Sequence, residues 1–263
     1  MDLSLSSKLV IDSCRSVWCC GGYEFFESLC VGSSLKPVLL ERTVSTMTEA
    51  LTCSGACAVL ALEQAAGRGR RGRVWLSPRG GIWLTVRARC GWWSPLGLPV
   101  FVGAVVAELL GRLTGVEVLV KWPNDLVTGG GFKVGGVLVE EADGWLLVGV
   151  GVDYLNEPPV EGSTSLSRLT TLLPDLYVAA GLLASAVARA VRGPRPRGML
   201  LPRRLDYLAG RRVVVETEEG VVAGRAAGVD ADGRLIILLD NGLLRRLECC
   251  SVTWAEGLRY KAQ

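Results

Sequence analysis

The chain has 263 residues, 49% of them apolar and 21% charged, with a formal net charge of only +3. Such a chain can bury a real core, as one large unit or one large plus one small, and a broad nucleic-acid footprint is not implied, since the basic residues fall in local clusters. Histidine is absent, which excludes Ser-His-Asp and Cys-His nucleophilic machinery and imidazole-built zinc sites, and leaves proton transfer to Lys, Asp, Glu, Tyr or the substrates.

Nine cysteines occur, an odd number with two vicinal pairs and no C-x-x-C spacing. They read as reduced thiols used as small apolar side chains. A disulfide such as Cys53–Cys57, or one from Cys249, stays open, and metal binding does not suit the spacing. No apolar run reaches the roughly 18 residues that a membrane span needs. Lys8, Asp12 and Arg15 interrupt the N-terminal apolar residues, unlike a signal peptide. A soluble, cytoplasmic protein without membrane contact is expected.

In chain order, residues 1–36 carry mixed charge and are shorter than a winged-helix module, so they are expected to be an extension that binds no DNA. Residues 37–43 predict a strand. Val44-Ser45-Thr46 leads into a helix, with Thr46 and Glu49 at capping-box spacing. Hydroxyls and free N–H groups at such a start serve either as a cap or as a polar ligand site. A strand over 57–63 follows. Residues 65–75 then set Arg68, Arg70, Arg71 and Arg73 among Gly67, Gly69 and Gly72. This is read as a flexible cationic loop pinned between strands. Glycine allows close backbone approach, and arginine offers a planar fork for phosphate or carboxylate. The loop lacks the Walker and dinucleotide glycine spacings. By itself it also suits RNA.

Residues 81–89 predict a strand and 98–114 a buried helix. Residues 116–121 alternate, with Val116, Val118 and Val120 on one face and Glu117, Leu119 and Lys121 on the other. The turn Trp122-Pro123-Asn124-Asp125 can present Lys121, Asn124 and Asp125 together. A Gly129–Gly131 turn, a strand over 132–140, an Asp143-Gly144 hairpin turn and a strand over 145–152 complete a run of antiparallel hairpins. A helix is predicted over 174–192. The Pro- and Arg-rich stretch 193–204 reads as a solvated linker or a docking surface for an acidic protein. Four or five short strands from about 205 predict a small barrel. The fold class is α+β, with a mixed, largely antiparallel central sheet, packed helices and a C-terminal SH3-like barrel. The division is 1–36 extension, 37–202 catalytic unit and 203–263 SH3-like unit.

Three motifs together resemble the signatures of the biotin protein ligases. They are Gly67-Arg68-Gly69-Arg70-Arg71-Gly72-Arg73-x-Trp75, Lys121-Trp122-Pro123-Asn124-Asp125 and Lys133-Val134-Gly135-Gly136-Val137-Leu138-Val139-Glu140. Val44-Ser45-Thr46 and Gly149-Val150-Gly151-Val152 are similar to two further family segments, and the likeness spans about 37–256.

The resemblance implies a ligase that uses ATP, biotin and Mg²⁺. Biotin becomes biotinyl-5′-AMP and is then passed to a lysine of a biotin carboxyl carrier domain. It implies Arg68 and Lys121 as catalytic groups, and Ser45, Thr46, Gln64, Arg68, Gly69, Arg70, Lys121 and Gly136 around biotin. Arg70, Arg71, Arg73, Trp75, Lys121, Asn124 and Asp153 would serve ATP, with Trp75 either stacked on adenine or anchored in the core. The chemistry is consistent with the residues. Two like charges 4 Å apart repel by about 4 kcal/mol at an effective dielectric near 20, and the cations offset this. Two positions depart from the family pattern: Met47 and Asp153 each stand where it has Asn. An ionised Asp153 can only accept hydrogen bonds, so a contact to Mg²⁺ is its alternative role. A homodimer is allowed, and DNA is not expected as a partner. A lipoate or octanoate ligase of the same fold and an RNA-binding protein are the competing readings.

Overall fold

The computed structural model describes residues 20–198, 200–248 and 250–260. Helix α1 (Cys20–Gly32) leads into strand β1 (Lys36–Leu40), short helix α2 (Thr46–Leu51) and strand β2 (Cys57–Ala61). Strands β3 (Gln64–Arg68) and β4 (Val74–Ser77) form a hairpin of their own. Strand β5 (Ile82–Ala88) and helix α3 (Gly97–Thr114) follow. Next come β6 (Val118–Lys121), β7 (Asp125–Thr128), β8 (Lys133–Ala142), β9 (Trp145–Val152) and helix α4 (Leu176–Arg192).

The main sheet has seven strands in the order β1-β2-β5-β9-β8-β7-β6. Only β1 and β2 run parallel; every other pairing is antiparallel. Period-two alternation gives the sheet two different faces. Ala58, Leu60, Leu84, Val86, Val148 and Val150 pack into the large core with residues of α1, α3 and α4. Cys57, Val59, Ala61 and Leu147 face the other way and meet Met47 and Ala50 of α2. On this second face β9 carries Gly149 and Gly151 in place of side chains. They pair with Thr85 and Trp83 of β5 on one side, and with Leu138 and Gly136 of β8 on the other. The absence of side chains there leaves a shallow floor, which α2 and the β3–β4 hairpin roof over.

The helices begin and end where local chemistry dictates. Asp175 caps α4 by accepting from the N–H groups of Tyr177 and Val178. Gly115, in the left-handed region at φ 71°, ends α3. By length and composition α3 could cross a membrane, contrary to the expectation from apolar runs. It packs instead inside the protein, with Val100, Val102, Val106 and Leu110 fully buried.

Within the segment read as an extension, Phe26 and Cys30 of α1 are fully buried in the main core beside α4. Other expectations change. The DNA-binding question over residues 1–19 lies outside the described residues. The stretch 193–204 is not a solvated linker, since Leu200 and Leu201 are buried and Arg195 and Arg204 pair with Asp232 and Glu108. Cys53 and Cys57 form a disulfide rather than remaining reduced, tying the end of α2 to β2.

The C-terminal unit is a five-stranded antiparallel sheet in the order β13-β12-β11-β10-β14, built from β10 (Arg212–Thr217), β11 (Gly220–Val229), β12 (Leu235–Leu238), β13 (Leu244–Leu247) and β14 (Ser251–Ala255). It is seated on the large sheet by polar contacts: Trp122 Nε1 donates to the Gly233 carbonyl at 2.8 Å, and the Tyr207 N–H donates to Val120 at 3.0 Å.

Candidate active site

Two recesses meet on the glycine-floored face. The inner cleft is narrow, about 50 Å³, and is lined by Ser45, Thr46, Met47, Gln64, Arg68, Gly69, Arg70, Trp75, Asn124, Gly136 and the Gly149–Gly151 stretch, among others. The outer recess holds about 440 Å³ and is lined by Arg70, Arg73, Trp75, Lys121, Asn124, Asp125 and Lys133, together with Arg259 and Tyr260 from the C-terminal end. Gly69, Arg70, Trp75 and Asn124 belong to both walls.

The inner wall is held by a chain of hydrogen bonds. Thr85 donates to the Thr46 hydroxyl at 2.8 Å, and the Thr46 N–H and hydroxyl both donate to Gln64 Oε1, at 2.8 and 3.0 Å. Gln64 Nε2 donates to Ser77 Oγ at 2.7 Å, and Ser77 donates to the Trp75 carbonyl at 3.1 Å. The cap of α2 therefore differs from the capping-box expectation. Ser45, with extended backbone, accepts from the Met47 N–H at 3.3 Å, while Glu49 accepts from Thr43. The Thr46 and Met47 N–H groups are thus occupied within the protein.

The arginine-rich segment, expected as a loop between strands, is a hairpin of β3 and β4 closed by a tight turn over Arg70–Gly72. Gly67 is required by contact: a Cβ there would meet the Trp75 carbonyl at 2.4 Å. Arg70 turns inward and donates to Asn124 Oδ1 at 3.2 Å, and Asn124 Nδ2 donates to the Val137 carbonyl at 2.8 Å. Burial and the neighbouring Arg71 push the Arg70 pKa below its ordinary value. Arg68 pairs with Glu140 at 3.1 Å. Trp75 lies over Gly136 and Gly151 with its indole nitrogen buried and unpaired, and the Lys133 ammonium faces its ring at 5.0 Å.

Behind the outer recess is a compact charge cluster. Lys121, on β6 and only 2% exposed, lies 3.2 Å from Asp125 Oδ2, and Lys133 lies 2.7 Å from Oδ1. Burial pushes the Lys121 ammonium down in pKa, and Asp125 pulls it up. Burial would raise Asp125, yet Lys133, Lys121 and the Tyr260 hydroxyl hold it well below the usual carboxylate range. All four residues of β6 are buried although it is an edge strand of the sheet, because α3 and the chain around Tyr207 cover it, so the expected contrast between its two faces is absent.

Of the residues expected around biotin, Ser45, Thr46, Gln64, Arg68, Gly69, Arg70 and Gly136 share the inner cleft, and Lys121 stands in the outer recess. Of those expected around ATP, Arg70, Arg73, Trp75, Lys121 and Asn124 line the outer recess. Arg71 sits at the hairpin turn with φ 57° and lines neither. Asp153 also lines neither recess. It is 3% exposed at the end of β9 and accepts from Asn156 Nδ2 at 2.7 Å, a buried structural contact. Burial pushes its carboxyl up to about 6.

Lys133, Tyr260, Arg259, Ser77 and Thr85 were not singled out by the sequence. Lys133 had a signal, since it opens the Lys-Val-Gly-Gly strand that pairs with β7. The other four had none, because strand pairing and domain packing bring them in. No group of three His, Cys, Asp or Glu side chains is placed to hold a metal among the described residues. Asp125 is already shared by two lysines and a phenol, and Asp153 is turned away. These carboxylates do not fit a protein-held Mg²⁺ site, and no step is assigned to one.

Residues 40–152 match the family described as "Biotin/lipoate A/B protein ligase family", and residues 209–248 match "Biotin protein ligase C terminal domain". A biotin--[acetyl-CoA-carboxylase] ligase of Paracoccus denitrificans is 33% identical over 224 residues, spanning 76% of this chain and 92% of that protein. One of Mycobacterium tuberculosis is 34% identical over 193 residues, spanning 68% of this chain and 72% of its own. Among solved structures, a biotin protein ligase from Aquifex aeolicus in complex with biotin and ATP superposes with a TM-score of 0.68 at 25% identity, covering 81% of this chain and 95% of that one.

Proposed function

The chain belongs to the biotin protein ligase family, and we propose that its two recesses divide the ligase reaction between them. The protein is an ATP-dependent ligase that activates biotin as biotinyl-5′-AMP. The inner cleft would take biotin over the glycine floor, with Thr46, Gln64 and Ser45 facing its polar ring. The outer recess would take ATP among Arg73, Lys121 and Lys133.

One observation carries this division: Gly69, Arg70, Trp75 and Asn124 wall both recesses, so a carboxylate in one would meet an α-phosphate in the other at their junction. A carboxylate oxygen forms a bond to the α-phosphorus, the bond to the bridging oxygen breaks, and pyrophosphate leaves with that electron pair. Both reactants are anions, so the step needs fixed positive charge more than it needs a base. Arg70 stands at the junction, Lys121 lines the outer recess with little exposure to water, and Arg68 lines the inner cleft. In the second step an acceptor lysine amine attacks the acyl carbon and AMP leaves. The acceptor is a biotin carboxyl carrier domain.

The finer proposals follow from composition and packing. Residues 37–202 form the catalytic unit, with 20–36 docked on it, and 203–263 form the small unit. Mg²⁺ would arrive with the ATP phosphates, as it commonly does. Neither DNA nor membrane is a partner, and the protein works in the cytoplasm as a monomer or homodimer.

The test is pyrophosphate release from ATP by the full chain with biotin, lipoate or octanoate as the acid. Release that depends on biotin alone is the expected result. Release with lipoate or octanoate but not biotin would overturn the substrate assignment. Salt-sensitive binding to single-stranded RNA at micromolar concentration, without pyrophosphate release, would favour the arginine segment as an RNA site.

A further inference from the structure

Tyr260 belongs to the C-terminal unit, yet it ends inside the charge cluster of the large one. Its hydroxyl donates to Asp125 Oδ2 at 2.6 Å. That oxygen is also the one that Lys121 approaches, at 3.2 Å, while Lys133 takes the other oxygen at 2.7 Å. Both ammonium groups face the phenol ring, at 5.2 and 5.4 Å from its centre.

The backbone that delivers Tyr260 is tightly seated. The Arg259 N–H donates to the Gly131 carbonyl at 3.0 Å. Gly162 passes so close that a Cβ on it would meet the Arg259 carbonyl at 2.4 Å and the Tyr260 Cβ at 2.7 Å. Burial and the adjacent Asp125 push the phenol well above its ordinary pKa, so it remains a donor at neutral pH.

A carboxylate oxygen has two lone-pair directions. The phenol occupies one on Oδ2 and draws charge from the side that Lys121 shares. Without that hydroxyl, Asp125 is free to shorten the 3.2 Å pair it already makes with Lys121. The ammonium would then be spent on Asp125 instead of on the anions in the outer recess. The phenol ring also supplies a neutral wall to both ammonium groups, a contact that attracts without fixing a bond direction.

We propose that Tyr260 is a positioning residue for adenylate formation, holding Asp125 away from closer pairing with Lys121 so that the ammonium stays available to the reacting phosphate and carboxylate. The C-terminal unit thereby takes part in the first chemical step through one side chain. This inference rests on the ligase reading above.

The test compares wild type, Tyr260→Phe and Tyr260→Leu as full chains in biotin-dependent pyrophosphate release with ATP varied, alongside thermal unfolding. Tyr260→Phe keeps the ring and loses only the hydroxyl. Its kcat is expected to fall about tenfold, with the KM for ATP changed by less than about threefold, the pattern of an interaction that matters in the transition state. Its Tm is expected to fall by no more than about 10 °C, the range set by one hydrogen bond to a buried carboxylate, and kcat is read well below both midpoints. Tyr260→Leu should show the same loss of kcat or a larger one. A Tyr260→Phe enzyme with wild-type kcat overturns the inference, and so does a loss confined to KM or one that merely tracks a lowered Tm. A wild-type chain that releases no pyrophosphate with biotin overturns the ligase reading and this inference together, whereas normal wild-type turnover with an undiminished Tyr260→Phe overturns the inference alone.

Discussion

Trp75 and Gly151 are in direct contact: a Cβ built on Gly151 would stand 2.7 Å from the Trp75 indole nitrogen. The ring from the hairpin lies on the sheet where β9 has no side chain, and it forms part of both recess walls. Gly151→Ala should therefore lift Trp75 off the floor. Overpacking of this kind costs about 1–3 kcal/mol, and about 1.4 kcal/mol is a tenfold change in affinity. The KM for biotin is expected to rise about tenfold or more in steady-state pyrophosphate release. An unchanged KM would refute the role of this floor.

Arg68→Ala and Lys121→Ala address the charge stabilisation. Each is expected to slow adenylate formation by about two to three orders of magnitude, the usual cost of removing a donor aimed at developing charge. Arg68→Ala should leave the fold intact. Its pair with Glu140 is more than a third exposed on both sides, and such pairs contribute about 0–1 kcal/mol. Single-turnover pyrophosphate release, with circular dichroism as the folding control, checks both variants. Near-normal turnover in the pair would sink the assignment of these residues.

Ser77→Ala tests the hydrogen-bond chain behind the inner cleft. Ser77 accepts from Gln64 Nε2, and losing it leaves a part-buried amide without that acceptor. Stranding such a donor costs about 1–3 kcal/mol. The expected result is a higher KM for biotin with kcat much less affected, because Ser77 holds Gln64 in place and does not reach the reacting atoms. Isothermal titration with biotin alone would show the same weakening. Wild-type affinity would mean that Gln64 is oriented by Thr46 alone.

Asp153→Asn separates a structural role from a ligand role. Burial raises the Asp153 carboxyl from 3.8 to about 6 in the folded protein. The folded state therefore binds a proton more tightly than the unfolded chain, and stability falls as pH rises from about 4 through 6. The penalty at neutral pH is at most about 3 kcal/mol, from 1.36 kcal/mol per unit. Asn cannot ionise and can still accept from Asn156. Asp153→Asn should thus raise Tm at pH 7.5 and have little effect at pH 4. It should also leave the KM for ATP and the Mg²⁺ dependence within about twofold of wild type, since the residue lines neither recess. A large loss of ATP affinity would place the carboxylate at the nucleotide after all.

Much of the site could be read from the chain because its chemistry is local. Arg68 to Trp75 lie within eight positions, and the turn after Lys121 brings Asn124 and Asp125 back beside it. Gly149 and Gly151 have the period-two spacing that puts both on one face. These motifs keep their meaning wherever the strands are placed. The expectations that changed, and those the sequence left open, each depended on packing. The arginine segment is a hairpin because β3 and β4 pair with each other. The stretch 193–204 is docked because Leu200 and Leu201 find a core. Residues 20–32 belong to the main body because Phe26 and Cys30 meet α4.

By itself the sequence determined the antiparallel hairpins from β6 to β9, the short C-terminal strands and the cationic chemistry, because turn residues, alternation and residue type act over a few positions. Only the tertiary structure decided which groups share a charge. Tyr260 and Asp125 are 135 positions apart and meet at 2.6 Å, and Asp153 is turned from the recesses by a neighbour's amide. Such contacts arise from how one sheet is laid on another, and no short-range pattern encodes that placement.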